Sequence, residues 1–242
     1  MNALSKNSPK QFLNIPAILA SLKAFISPSL LIPHISITHL SQLNLTELQK
    51  RGVRYIVFDK DNTLCLPFEK DIHPSLHEKI AEVKAKFPGR AAILSNSIGS
   101  SDDVNYMAAE ACEKALGIPV IRHLKKKPAC LAEVLEHFQK MDKLYETTIP
   151  CPVAVSQDSI CVVGDRVLTD ILFANQNGMH SCLVQALTDN LQYTMKQTFA
   201  IDNPAAAIVR KLELVVLLPV LRRLGYQAVK AQKPTAGDNI KA

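Results

Sequence analysis

Short apolar runs that each end on a polar residue dictate the fold class of this chain. From Arg54 to Phe58 the β-branched and aromatic run RYIVF stops at Asp59, the pattern of a buried strand that delivers polar groups at its C-terminal end. AAIL (Ala91 to Leu94), IPVI (Ile118 to Ile121), ICVV (Ile160 to Val163) and SCLV (Ser181 to Val184) repeat the theme. Helical patterns lie between them: Asp102 to Leu116 with Gly117 as its stop, Pro128 to Tyr145 with proline in the first turn, and Thr169 to Asn177 closed by Gly178. Strand and helix in alternation predict an α/β fold, a Rossmann-like parallel sheet with helices on both faces. The loops beyond the strand ends are then the place to look for a site.

The 242 residues are 48% hydrophobic and 21% charged, enough apolar surface for a core and unlike a disordered or collagen-like chain. Tryptophan is absent and aromatics reach only 5%, which argues against base-stacking surfaces and a nucleic-acid partner. A net charge of +6 favours anionic partners. The six cysteines form no CxxC pair, so they read as reduced thiols rather than a zinc ribbon or redox motif.

The two ends differ from the middle. Residues 1–46 contain lysine and serine but no arginine, and the first acidic residue is Glu47. They read as an amphipathic N-terminal arm with the acid-poor composition of a mitochondrial targeting segment. Its apolar run, Ile15 to Ile32, is interrupted by proline. That run suits either an interfacial membrane helix or an arm packed on its own core or on another subunit. Residues 205–230 make an amphipathic C-terminal helical segment carrying Arg210, Lys211, Arg222 and Arg223, too short to cross a bilayer. It is read as a basic interfacial helix or as an ordinary packed C-terminal helix. Thr147 to Gln157 reads as a surface loop and 231–242 as a disordered tail.

Four polar groups fall just after the strands: Asp59 and Asp61 in DKDNT, Ser95 and Asn96 in LSNS, Lys127 in KKKP, and Asp165 with Asp170 in GDRVLTD. One aspartate at a strand end reads as a helix cap. Three or four carboxylates on one sheet edge repel each other unless a cation lies among them, and hard oxygen donors point to Mg²⁺.

In this order the segments resemble the four motifs of the haloacid dehalogenase superfamily of phosphatases, over about Val53 to Val184. More narrowly, VFDKDNTL, ILSNS, IPVIRHLKKKP and VVGDRVLTDILFANQNG are similar to the mitochondrial phosphatidylglycerophosphate phosphatases, which make phosphatidylglycerol on the route to cardiolipin. The resemblance implies that Asp59 is a nucleophile forming an aspartyl-phosphate and that Asp61 is the acid and base. Lys127, Ser95 and the Asn96 backbone N–H hold phosphoryl oxygens. Mg²⁺ is bound by the Asp59 carboxylate, the Asp61 main-chain carbonyl and the Asp165 carboxylate, with Asp170 as a further ligand or an orienter. Thr63 supports the first loop, and Lys60, Asn62 and Arg166 are further candidates.

Cys161 and Arg166 are separated by one residue fewer than a cysteine-phosphatase loop requires, and Cys161 opens an apolar strand. Only Cys65 to Arg90 separates the first motif from the next strand, which leaves room for a minimal cap alone. Residues 47–204 thus read as an open-sited phosphatase domain able to reach a head group in a bilayer. The substrate expected from the resemblance is phosphatidylglycerophosphate. Peripheral association with anionic lipid on the matrix face of the mitochondrial inner membrane accompanies it, and a homo-oligomer is compatible with the aliphatic ends. Phosphoproteins or soluble phosphomonoesters as substrates, and a non-catalytic membrane scaffold, are the competing readings.

Overall fold

The computed structural model describes residues 26–66, 69, 71–145, 154–186 and 204–231. Among the described residues five strands, β1 (Ile35–His39), β2 (Tyr55–Phe58), β3 (Ala91–Ile93), β4 (Ile160–Gly164) and β5 (His180–Ala186), form one sheet in the order β1-β5-β4-β2-β3. Every pairing is parallel. The α/β expectation therefore holds.

The side-chain alternation of β2 divides the core. Ile56 and Phe58 join Cys161, Val163, Cys182 and Val184 on one face, under α1 (Leu45–Lys50), α2 (His77–Lys86) and α3 (Met107–Leu116). Tyr55 and Val57 point the other way, with Val162, onto Val134 and Phe138 of α4 (Leu131–Tyr145) and Phe173 of α5 (Leu172–Gln176). Both faces of the central strands are covered, which is why RYIVF is apolar throughout instead of alternating. The last helical elements among the described residues are α6 (Pro204–Leu212), a π-helical turn (Glu213–Leu217) and α7 (Leu218–Arg223). Leu218 and Leu221 pack there on Leu31, Ile32, Val167, Ile171 and Leu183. Burying each leucine contributes roughly 1.5–3 kcal/mol.

Several boundaries differ from the sequence reading. Ile35–His39 lies inside the stretch read as an N-terminal arm, yet it pairs with β5 from Ile35↔Cys182 to His39↔Ala186. The sheet thus begins before residue 46. As an edge strand, β1 is half-exposed at alternate positions, so its short ISITH pattern gives no long apolar run. Ile118 to Ile121 contributes only an isolated bridge, Ile93↔Val120, because Pro119 has no N–H to extend a ladder. The helix expected from Asp102 starts at Met107: Asn105 and Tyr106 have φ of 54° and 56°, and the Asp103 carboxylate accepts the N–H groups of Ala108 and Ala109. Residues 1–25, most of Thr147 to Gln157, and the tail from 232 lie outside the described residues.

Candidate active site

Parallel strands put all their C-terminal ends on one edge, and the four polar motifs meet there. Asp59 follows β2, Ser95 and Asn96 follow β3, Lys127 follows the short bridge at Val120, and Asp165 follows β4. They line one cleft of about 610 Å³, together with Asp61, Asn62, Ser97, Lys126, Arg166, Thr169, Asp170 and Arg210.

Asp59, Asp165 and Asp170 each bring a carboxylate oxygen within 4.8 Å of the others. At that separation each pair of charges repels by about 3 kcal/mol for an effective dielectric of 20. Lys127, 2% exposed, offsets part of this: its Nζ donates to Asp59 Oδ1 at 2.6 Å and to Asp170 Oδ1 at 2.5 Å. Burial pushes the Asp59 carboxyl upward against the pull of Lys127, and Asp170, Asp165 and Asp61 push the same way. Burial also raises Asp165, with Arg210 opposing and Asp170 assisting. Burial lowers Lys127, but Asp170 and Asp59 more than reverse it, so the ammonium stays charged.

Oxygen donors suit a hard divalent cation, and Asp165 Oδ2 is buried without a hydrogen bond among the described residues. The trio therefore fits such an ion. Asp170 reaches it because residue 164 is glycine: a Cβ there would lie 2.4 Å from the Asp170 carboxyl. Asp170 Oδ2 also accepts the Arg166 N–H at 3.1 Å.

Asp61 stands apart from the trio. Its Oδ1 accepts from Lys60 Nζ at 2.6 Å and its Oδ2 from the Ser97 hydroxyl at 3.0 Å. The loop that presents it turns through Asn62 at φ 60°, a left-handed position that asparagine tolerates. It closes with Leu64 and Cys65 N–H groups on the Lys60 carbonyl. Thr63 is fully buried beneath this loop. Ser95 is buried, with its Oγ 2.9 Å from Ser97 Oγ. Asn96 uses its side-chain oxygen to accept the Lys127 N–H at 2.9 Å, tying the second motif to the third.

Sequence reasoning missed four residues. Ser97 orients Asp61. His123 lies between two site loops, its Nε2 2.8 Å from the Ser95 carbonyl oxygen and its Nδ1 2.7 Å from that of Lys125. Arg210 contacts Asp165 through Nε at 2.7 Å, and Glu213 pairs with Arg166 at 3.2 Å. The signal for the last two was present, since Glu213 is the sole acidic residue from Ala205 to Tyr226. An acid in an apolar, basic helix calls for a buried partner. Cys161 is buried inside β4 and its thiol is pushed up to about 12 by burial, the opposite of an activated nucleophile.

The sequence profile described as mitochondrial PGP phosphatase matches residues 15–188, a stretch that holds all four motifs. The chain belongs to this family. Phosphatidylglycerophosphate phosphatase 1, chloroplastic/mitochondrial, of Arabidopsis thaliana is 33% identical over 216 residues, covering 88% of this chain and 55% of the relative. The chloroplastic phosphatidylglycerophosphate phosphatase 1 of Chlamydomonas reinhardtii is 40% identical over 163 residues, 66% of this chain and 55% of its own length. A mitochondrial phosphatidylglycerophosphatase of Saccharomyces cerevisiae is 33% identical over 174 residues, 72% of this chain and 88% of the relative. The chain spans about half the length of the Arabidopsis and Chlamydomonas relatives. Arg210 and Glu213 lie beyond the matched stretch.

Proposed function

We propose that this chain is a Mg²⁺-dependent phosphatase that hydrolyses phosphatidylglycerophosphate to phosphatidylglycerol and inorganic phosphate, in cardiolipin biosynthesis. The observation that carries the reading is the meeting of Asp59, Lys127, Asp165 and Asp170 at one sheet edge within reach of Ser95. The names of the Arabidopsis, Chlamydomonas and yeast relatives support the substrate.

The Asp59 carboxylate attacks phosphorus and forms an aspartyl-phosphate, while Asp61 gives a proton to the leaving glycerol oxygen. Asp61 then takes a proton from water, which attacks the phosphorus and releases phosphate from Asp59. An anion approaching a phosphate dianion at about 4 Å meets roughly 8 kcal/mol of repulsion at a dielectric of 20, so positive charge must already be in place. Lys127 supplies it against Asp59 itself. The Ser95 hydroxyl and Asn96 N–H hold phosphoryl oxygens. Asp59, Asp165, Asp170 and the Asp61 carbonyl would hold Mg²⁺, which would neutralise phosphoryl charge as a Lewis acid.

Openness supports a lipid substrate. The segment between β2 and β3 is spent on α2, whose Ile80 and Val83 are buried in the core. The C-terminal helices expose Ile208, Leu212, Val215, Val216, Val220 and Leu224 beside basic Lys211 and Arg223, a face suited to an anionic membrane surface. Among the described residues no helix is long and apolar enough to cross a membrane. We place the protein peripherally on the matrix face of the mitochondrial inner membrane. The same face buried in a homo-oligomer is the second reading, since an apolar patch of this extent needs a cover. Catalytic efficiency on the lipid in mixed micelles, compared with soluble phosphomonoesters and a phosphopeptide, tests the substrate. A preference for the lipid is expected, and a preference for either alternative overturns it.

A further inference from the structure

The C-terminal helix enters the site with two charged side chains that the phosphatase chemistry above does not use. Arg210 on α6 is 5% exposed and Glu213, one turn later, is 2% exposed. Burying charge is costly unless it is matched, so both must be held for a reason. Arg210 sets Nε 2.7 Å from Asp165 Oδ2 and donates from Nη2 to the Gln185 carbonyl at the end of β5, at 3.1 Å. Glu213 accepts the Val167 N–H at 2.9 Å and faces the Arg166 guanidinium at 3.2 Å. The two residues grip Asp165, Arg166 and Val167 from outside the sheet.

A guanidinium against a metal-ligand carboxylate acts in one of two ways: it competes with the ion, or it orients the carboxylate for it. The geometry favours the second. With Arg210 in contact, Asp165 still brings an oxygen within 4.8 Å of those of Asp59 and Asp170. The Arg210 contact is also a charge contact without hydrogen-bond geometry, since neither Arg210 Nε nor Asp165 Oδ2 has a hydrogen-bond partner among the described residues. Glu213, meanwhile, fixes the backbone that follows Asp165 without touching the trio.

We propose that Arg210 and Glu213 are positioning residues: through them the C-terminal helix fixes Asp165 where it meets Asp59 and Asp170, and so sets the affinity of the site for its divalent ion. This rests on the reading of the three carboxylates as a Mg²⁺ site. Outer partners of ligating carboxylates commonly change metal affinity by about 10- to 100-fold when removed.

Titrating Mg²⁺ alone into the full chain by calorimetry, without substrate, tests it. Arg210→Gln and Glu213→Gln are each expected to weaken binding by about 10- to 100-fold, and Arg210→Lys, which keeps the charge, to recover part of the loss. Unchanged affinity with a lowered melting temperature in chelator would make both residues merely structural and overturn the proposal. Tighter binding in Arg210→Gln would make the guanidinium a competitor and also overturn it. If Arg210→Gln does not fold, Arg210→Lys and Glu213→Gln still decide the question. A wild-type chain that binds no Mg²⁺ would instead strike the metal reading itself, a result distinct from equal binding by wild type and variants.

Discussion

Lys127 joins Asp59, the proposed nucleophile, to Asp170, since one ammonium reaches both carboxylates. Replacing it by methionine keeps an unbranched stem, one atom shorter, and removes the charge. Turnover is expected to fall by about 10²- to 10³-fold, as for loss of one preorganised electrostatic donor. Steady-state phosphate release, with circular dichroism to confirm the fold, checks this. Gly164 makes a separate point about space. A methyl group there would press on the Asp170 carboxyl, so Gly164→Ala should cost about 1–3 kcal/mol in stability and weaken Mg²⁺ binding, read by thermal melting and calorimetry. The order of Asp59, Ser95, Lys127 and Asp165 was legible in the sequence because each follows an apolar run. Ser97 and His123 were not, because a second serine and a lone histidine carry no spacing that marks them as supports.

The helices show why some boundaries were hidden. A proline in the first turn suggests a start, but α4 begins at Leu131 because residues 126–129 turn first, with the Ala129 N–H on the Lys126 carbonyl. Along α4, burial lowers His137 to about 4 from an ordinary 6.5, with Glu113 opposing. The folded chain therefore keeps this imidazole neutral. Its contribution to stability is complete above about pH 6.5 and is lost as pH falls from there towards 4. Between pH 7 and 5 the wild type should lose about 2 kcal/mol more than His137→Gln, measured by denaturant unfolding with Mg²⁺ present. In the C-terminal helices the packed reading holds on one side, through Leu218 and Leu221, while on the other Leu212 is 54% and Leu224 68% exposed, the face proposed to meet a membrane. Removing the whole segment would confound anchoring with the site, because the segment also carries the buried Arg210 to Asp165. Paired Leu212→Glu and Val216→Glu substitutions separate them. Binding to cardiolipin-containing vesicles should drop at least tenfold, with hydrolysis of a soluble phosphate ester unchanged.

The molecule as a whole is a sheet whose edge chemistry is borrowed from distant stretches of chain. Its central strands were plain in the sequence because burial on both faces demands uninterrupted apolar residues. The edge strand β1 was hidden because half-exposed residues read as part of an arm, and the role of the C-terminal helix was hidden because buried ion pairs are a property of tertiary packing. The parallel topology brings the polar residues that follow the strands to one edge, where the reaction is proposed to occur. Phosphate release from phosphatidylglycerophosphate in mixed micelles with Mg²⁺, comparing the wild type with Asp59→Asn, tests the central claim most directly. The wild type should release phosphate and the natively folded variant should release none. Sustained release by Asp59→Asn would contradict the assignment of Asp59 as the nucleophile.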